Sequence, residues 1–236
     1  MSLPISLTSI SSRLHLLPKT INSLLTQTKK PESIHLWLSK EPFGIDEGCQ
    51  SLPQGLQALL EQEPLLHLHW TENIGPHRKL IPFAKLYPNT PVLVIDDDTI
   101  YEPTFIETAS TLWEKHKCCI AFRATIMVIE DPYMSWLDGS KETSIYLFHK
   151  GNGGVVYHTS WFQDPKVHDT KIFLDICPTA DDIWFNVWRM KQKIPCYCAP
   201  RCMIQKTLDV PISLFQTNES KNDAIVKAVY KYIFSC

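Results

Sequence analysis

Pro91-Val92-Leu93-Val94-Ile95-Asp96-Asp97-Asp98 is the stretch on which the reading of this chain turns. Four apolar residues in a row, three of them β-branched, read as a strand buried on both faces. Three carboxylates emerge at its C-terminal end, where open α/β sheets bind their ligands. On extended backbone Asp96 and Asp98 project to one side about 6.6 Å apart, and Asp97 to the other. Three adjacent like charges beside a buried strand are costly unless a cation or several donors compensate them. An all-oxygen set suits Mg2+ or Mn2+ rather than zinc. Capping the helix that starts near Thr104 needs one carboxylate, not three.

Upstream, Asn73-Ile74-Gly75-Pro76-His77-Arg78-Lys79 follows a strand and brings cations to the same sheet edge, where Arg78 and Lys79 could meet diphosphate oxygens. Downstream, Asp181 and Asp182 open a helix. One acid there is an ordinary first-turn residue, whereas a pair exceeds what a cap requires. One of the two could take a proton from an attacking hydroxyl. Gly151-Asn152-Gly153-Gly154 spends three of only eight glycines in four positions, which permits tight turns or close approach of a bulky ligand.

Around these motifs, apolar runs alternate with amphipathic stretches, as in a mostly parallel sheet flanked by helices. Strands are expected at Pro4–Thr8, Ser33–Leu38, Leu65–Trp70, Pro91–Ile95, Cys119–Arg123 and Gly154–His158. Helices are expected at Leu16–Thr28, Leu56–Gln62, Leu80–Leu86, Thr104–Lys117 and Asp181–Lys193. Residues 127–150 mix Pro, Gly, Ser and charge, and read as an irregular excursion suited to specificity. No repeat or linker divides the chain, so a single domain is expected, with 1–123 as the donor half and 124–236 as the acceptor half.

The 236 residues are 44% apolar and carry 23 Lys+Arg against 25 Asp+Glu, a net charge of -2 that gives no general attraction to nucleic acid. Eight cysteines are too sparse for a disulfide scaffold. Cys196, Cys198 and Cys202 lack a standard zinc spacing and read as part of a buried strand. Neither a P-loop nor a dinucleotide fingerprint occurs. No run approaches a bilayer span and the N-terminus lacks a secretory pattern, so a cytoplasmic protein is expected. The stretch Asp223–Phe234 is amphipathic with Lys227 and Lys231 at its flanks; it fits packing on the domain or peripheral contact with the inner face of the plasma membrane.

Taken in order, these motifs resemble nucleotide-sugar-dependent glycosyltransferases of the GT-A fold, especially bacterial enzymes that build surface polysaccharides such as lipopolysaccharide. Ile5-Ser6-Leu7-Thr8-Ser9 with Arg13 is similar to that family's first strand and the turn after it. Val94-Ile95-Asp96-Asp97-Asp98 with Tyr101 is similar to its D-x-D region. Gly153-Gly154-Val155-Val156-Tyr157 and Ala180-Asp181-Asp182-Ile183-Trp184 are similar to its acceptor-side motifs. The resemblance spans about residues 4 to 190.

It implies that Asp96 and Asp98 hold Mn2+ or Mg2+. Thr8, Ser9, Arg13, Lys79, Asp96, Asp97, Gly153 and Gly154 would lie around the nucleotide-sugar donor. Asp181 or Asp182 would be the base of an inverting transfer to a glycan or lipid-linked glycan acceptor. A late histidine that some relatives give to the metal has no counterpart beyond His168, the last in the chain. The alternatives are a nucleotidyltransferase of related architecture, although Ser9–Arg13 lacks the glycine-rich loop such an enzyme uses, and a non-catalytic carbohydrate-binding protein on the same fold.

Overall fold

The computed structural model describes residues 1–210, 218 and 220–235. The remaining positions of the expected acceptor half, including Cys236, lie outside the described residues. Strands run as β1 (Ile5–Thr8), β2 (Ile34–Leu38), β3 (Leu66–Trp70), β4 (Pro91–Val94), β5 (Thr99–Tyr101), β6 (Cys119–Ala121), β7 (Ala124–Ile126), β8 (Thr143–Ser144), β9 (Leu147–His149), β10 (Val155–His158), β11 (Cys196–Cys198) and β12 (Ile204–Thr207). Helices are α1 (Leu17–Leu25), α2 (Gln54–Gln62), α3 (Ile81–Leu86), α4 (Phe105–His116), α5 (Thr170–Ile176), α6 (Asp181–Lys191) and α7 (Asn222–Phe234).

Eight strands form the central sheet in the order β3-β2-β1-β4-β10-β6-β11-β8. β3, β2, β1 and β4 are mutually parallel, as is β11 to β6, whereas β10 runs antiparallel to both neighbours and β8 antiparallel to β11. The sheet is thus mostly parallel, in a single-domain α/β fold of the kind expected. From β1 the chain winds outward to β3 and then returns to place β4 on the other side of β1. The order therefore reverses between β1 and β4, and the crevice outside their carboxyl ends is the binding position for such a sheet.

The local causes are visible in the side chains. Ile5, Leu7, Leu36, Leu93 and Val156 are buried on the sheet, and α1 turns Leu17, Ile21, Leu24 and Leu25 inward at helical spacing. Ile183, Trp184, Val187, Trp188 and Met190 of α6 are buried. α7 spends its apolar stripe, Val226, Val229 and Ile233, on packing, and its Tyr232 stacks on Trp184 at 6.0 Å. Cys196 and Cys198 lie buried in β11, whereas Cys202, expected in the same buried strand, lies beyond it and is exposed; the seven described cysteines are free thiols. Among the described residues no helix is long and apolar enough to cross a membrane.

Candidate active site

The loops after β1 and β4 and the start of α6 surround a cleft of about 770 Å3. Thr8, Ser9, Arg13, Lys79, Asp96, Asp97, Asp98, Asp181 and Asp182 all line it. Gly153 and Gly154 do not. Gly154 holds φ at +87°, and a Cβ there would strike Phe105 Cζ at 2.6 Å, while one on Gly153 would meet Arg123 Cγ at 3.0 Å. These glycines serve the seating of β10 on its neighbours. The cleft-lining residue of that motif is Asn152.

The acidic triplet departs from the extended geometry. The chain turns at Asp97 and Asp98 to enter β5, so Asp97 does not face away from its neighbours. Arg13 Nη1 instead bridges the two, 3.2 Å from Asp97 Oδ1 and 3.4 Å from Asp98 Oδ2. The Ser9 hydroxyl donates to Asp97, and the Thr20 hydroxyl holds the Asp97 carbonyl at 2.8 Å. Asp97 is therefore the buried anchor of the turn. Asp96 has a different partner, its Oδ1 lying 3.0 Å from Lys79 Nζ. Burial, together with the charges of Asp96 and Asp97, pushes the Asp98 carboxyl up to about 6 despite Arg13.

Those oxygens fit a hard divalent cation, because the crowding that raises Asp98 is what a cation would relieve. Among the described residues no three acidic, His or Cys side chains converge to form a complete metal site. Asp96 and Asp98 would share the ion with oxygens of a bound phosphate and water, as magnesium-type sites commonly do.

Lys79 sits between the two acidic motifs. Its Nζ is 3.0 Å from Asp96, 3.1 Å from Asp181 and 4.0 Å from Asp182, and the Asp181 contact is an ion pair off the hydrogen-bonding direction. Burial alone would lower the lysine, but the three carboxylates hold it well above its usual range. One ammonium among three acids leaves negative charge in excess. Burial pushes Asp181 up to about 8 against the pull of Lys79, with Asp182 and Asp96 adding to the rise. Burial raises Asp182 as well, again opposed by Lys79.

The two helix-start acids are not equivalent. The Asp182 side chain is 29% exposed against 7% for Asp181, so it is the one open to a ligand. Its Oδ2 accepts the Gly151 N–H at 2.7 Å, which fixes the carboxylate. A Cβ on Gly151 would lie 2.5 Å from Asp182 Oδ1, so the bare backbone is what admits this contact. Neither acid caps α6, which has no side-chain cap at all.

Arg78 serves as a buried strut rather than as a free phosphate donor. It is 1% exposed, and its guanidinium donates to Asp46 at 3.0 Å, to the Ser9 carbonyl at 3.1 Å and to the Gly75 carbonyl at 3.1 Å. Asp46 also accepts from Ser11 N at 2.9 Å, Gly48 N at 3.1 Å and Asn73 Nδ2 at 3.0 Å. Burial would raise this carboxyl, but those bonds and the Arg78 charge hold it below the usual range. Asp46 ties the loop after β2 to the loop after β1. It escaped the sequence reading because its loop has no periodicity and its partners lie about thirty residues away in both directions. Tyr133, Lys150 and Arg123, which complete the far wall, were unmarked for the same reason.

No protein-family model and no curated protein matches the sequence. Among solved structures, residues 1–349 of S. aureus TarS share the fold, with 14% identity and a TM-score of 0.58 over 100% of this chain and 72% of that one. TarS 1–349 in complex with UDP-GlcNAc is similar at 14% identity and a TM-score of 0.59, over 91% of this chain and 60% of that one. 4-Diphosphocytidyl-2C-methyl-D-erythritol synthase is similar at 9% identity and a TM-score of 0.52, over 98% of this chain and 99% of that one. At these identities the likeness is one of fold, and the fold is the GT-A arrangement that the motifs resemble.

Proposed function

We propose that this protein transfers a sugar from a nucleoside-diphosphate sugar to a hydroxyl of a glycan or lipid-linked glycan. The observation that carries this reading is the cleft itself: the Asp96–Asp98 turn and the Asp181–Asp182 helix start meet across Lys79 at the reversal point of the sheet. The same fold in TarS has been solved with UDP and with UDP-GlcNAc, which makes a uridine diphosphate sugar the first donor to test.

In this reading Asp97 and Arg13 shape the donor turn, while Asp96 and Asp98 would hold Mn2+ or Mg2+. Bound there, the ion would neutralise charge on the departing diphosphate. Asp182, fixed by the Gly151 N–H and open to the cleft, accepts the proton of the acceptor hydroxyl as that oxygen attacks the anomeric carbon. Attack from the face opposite the leaving diphosphate inverts the configuration. Asp181 stays enclosed and paired with Lys79, which holds the base helix against the donor turn.

Calorimetric titration with UDP in the presence of Mn2+ tests the reading. Binding is expected to weaken at least tenfold on adding EDTA or in Asp98→Ala, with the far-ultraviolet circular dichroism unchanged. UDP affinity indifferent to both treatments would overturn the metal assignment. The similarity to a diphosphocytidyl synthase keeps nucleotidyl transfer as the second reading. Release of UDP from a nucleotide sugar supports the first, and release of pyrophosphate from a nucleoside triphosphate and a sugar phosphate supports the second.

A further inference from the structure

Beside the cleft lies a second cavity of about 420 Å3, lined in part by Arg123, Thr125, Trp136, Asp138, Lys150 and Arg201. Arg123 and Lys150 line both spaces and so stand at their junction. Arg123 precedes β7 and Lys150 follows β9, strands whose ladder ends at the Ala124–His149 pair. The Lys150 N–H then donates to the Arg123 carbonyl at 2.9 Å, which continues the pairing by one step. Two cations are thus held opposite each other across a strand pair, an arrangement that repulsion disfavours.

Lys150 Nζ lies over the Tyr133 ring, 5.5 Å from its centre, a contact that leaves its charge in place. Neither Arg123 nor Lys150 makes an ion pair within 4.0 Å among the described residues, whereas Arg201, at the rim, is already paired with Glu102. The acids nearest in effect, Asp182 and Asp138, raise Lys150 less than burial and Arg123 lower it. Asp138 takes the Ser140 hydroxyl. The backbone of Arg123 cannot drift away, because Gly153 packs bare against it, with an added Cβ 3.1 Å from Arg123 N. Thr125 also lines the cavity, but its hydroxyl is enclosed in the wall and does not open onto the space. Two cations without a salt-bridge partner among the described residues, the exposed Arg123 and the half-buried Lys150, at the junction of the two spaces form a site for an anion.

We infer that Arg123 and Lys150 bind an anionic substituent of the acceptor, a phosphate or carboxylate carried beside the hydroxyl that Asp182 deprotonates. This inference rests on the glycosyl-transfer reading above. It gives the side cavity to the acceptor and leaves the diphosphate to the Asp96–Asp98 side of the cleft. The class of acceptor selected is an acidic or phosphorylated glycan over a neutral one.

Ligand-observed NMR titrations with glucose, glucose 6-phosphate and glucuronate test it, run with and without UDP and Mn2+. The wild-type protein is expected to bind at least one anionic sugar five-fold or more tighter than glucose, and which of the two it prefers separates phosphate from carboxylate. Arg123→Gln and Lys150→Gln should each abolish the preference, Arg123→Lys should retain most of it, and all three should bind UDP within about two-fold of wild type. Equal binding of neutral and anionic sugars, or a preference that survives both glutamine variants, overturns the inference. A tenfold loss of UDP affinity in those variants also overturns it, by assigning the pair to the donor diphosphate. Wild-type protein that fails to bind UDP removes the glycosyl-transfer reading as well, whereas wild-type protein that binds UDP and shows no anion preference removes this inference alone.

Discussion

The transfer proposed above rests its proton step on one carboxylate, Asp182, whose geometry depends on a residue with no side chain. The Gly151 N–H holds Oδ2 at 2.7 Å, and the missing Cβ leaves room for Oδ1. Asp182→Asn is expected to lower kcat by about 10²–10⁴-fold, the usual contribution of a general base, with UDP affinity retained. Gly151→Ala should reproduce much of that loss without touching any ionisable group, because the new methyl must displace the carboxylate. Steady-state kinetics with a nucleotide sugar measure both, and full turnover in Asp182→Asn would transfer the base role to Asp181. The pairing of Gly151 with Asp182 was invisible in the sequence. Each residue stood in a marked motif, but only the packing of the β9–β10 connection onto α6 brings the motifs together.

Elements far from the chemistry set its frame. The loop between β2 and α2 is pinned by Asp46, whose partner Arg78 is almost wholly enclosed. Removing one member of a buried ion pair strands the other, so Asp46→Ala should cost about 3–5 kcal/mol in urea unfolding. A value within experimental error of zero would show that Ser9 and Gly75 suffice to hold Arg78. At the entry to β10, Gly154→Ala combines a left-handed φ with a collision on the Phe105 ring. A loss of more than about 1 kcal/mol is expected, seen as a drop in Tm of a few degrees. The helices and the parallel strands were legible because burial on one helix face or on both strand faces leaves a period in the sequence. β5, β7, β9, β12 and α5 were not, since strands of three or four residues and a helix of seven carry no more than two periods of their own pattern. The direction of β10 was equally unreadable: its residues announce a strand, but only the path of the preceding excursion makes it antiparallel.

For the molecule as a whole, burial makes acid act in opposing senses: a carboxyl raised by burial, such as Asp98 or Asp181, favours the folded state as pH falls, and a buried histidine opposes it. His77 is fully enclosed, its Nε2 donating to the Cys177 carbonyl at 2.8 Å, and burial pushes its pKa down to about 3. In the unfolded chain a histidine takes its proton near 6.5. Between these values the unfolded state binds more protons at this site, so the His77 contribution to stability is fully present above about 6.5 and is lost as pH falls toward 3, by about 1.4 kcal/mol per pH unit. Replacing His77 by Phe should flatten that slope in urea melts compared at pH 5 and pH 7. An unchanged slope would place the acid sensitivity in other groups. The global architecture was the most legible level, because the Asp96–Asp98 turn, the strand before it and the alternation around it report one topology. The charge balance of the cleft was the least legible, because it depends on which acids share Lys79.

That sharing has a thermodynamic meaning. A single ammonium touches Asp96 on the donor side and Asp181 on the acceptor side. A charge arriving at either carboxylate changes how strongly the lysine is drawn to the other, and the free energy of that coupling is the same read in either direction. In the proposed transfer, occupancy of one half of the cleft would therefore be felt in the other without any hinge or domain motion, and donor and acceptor would bind as coupled rather than independent ligands.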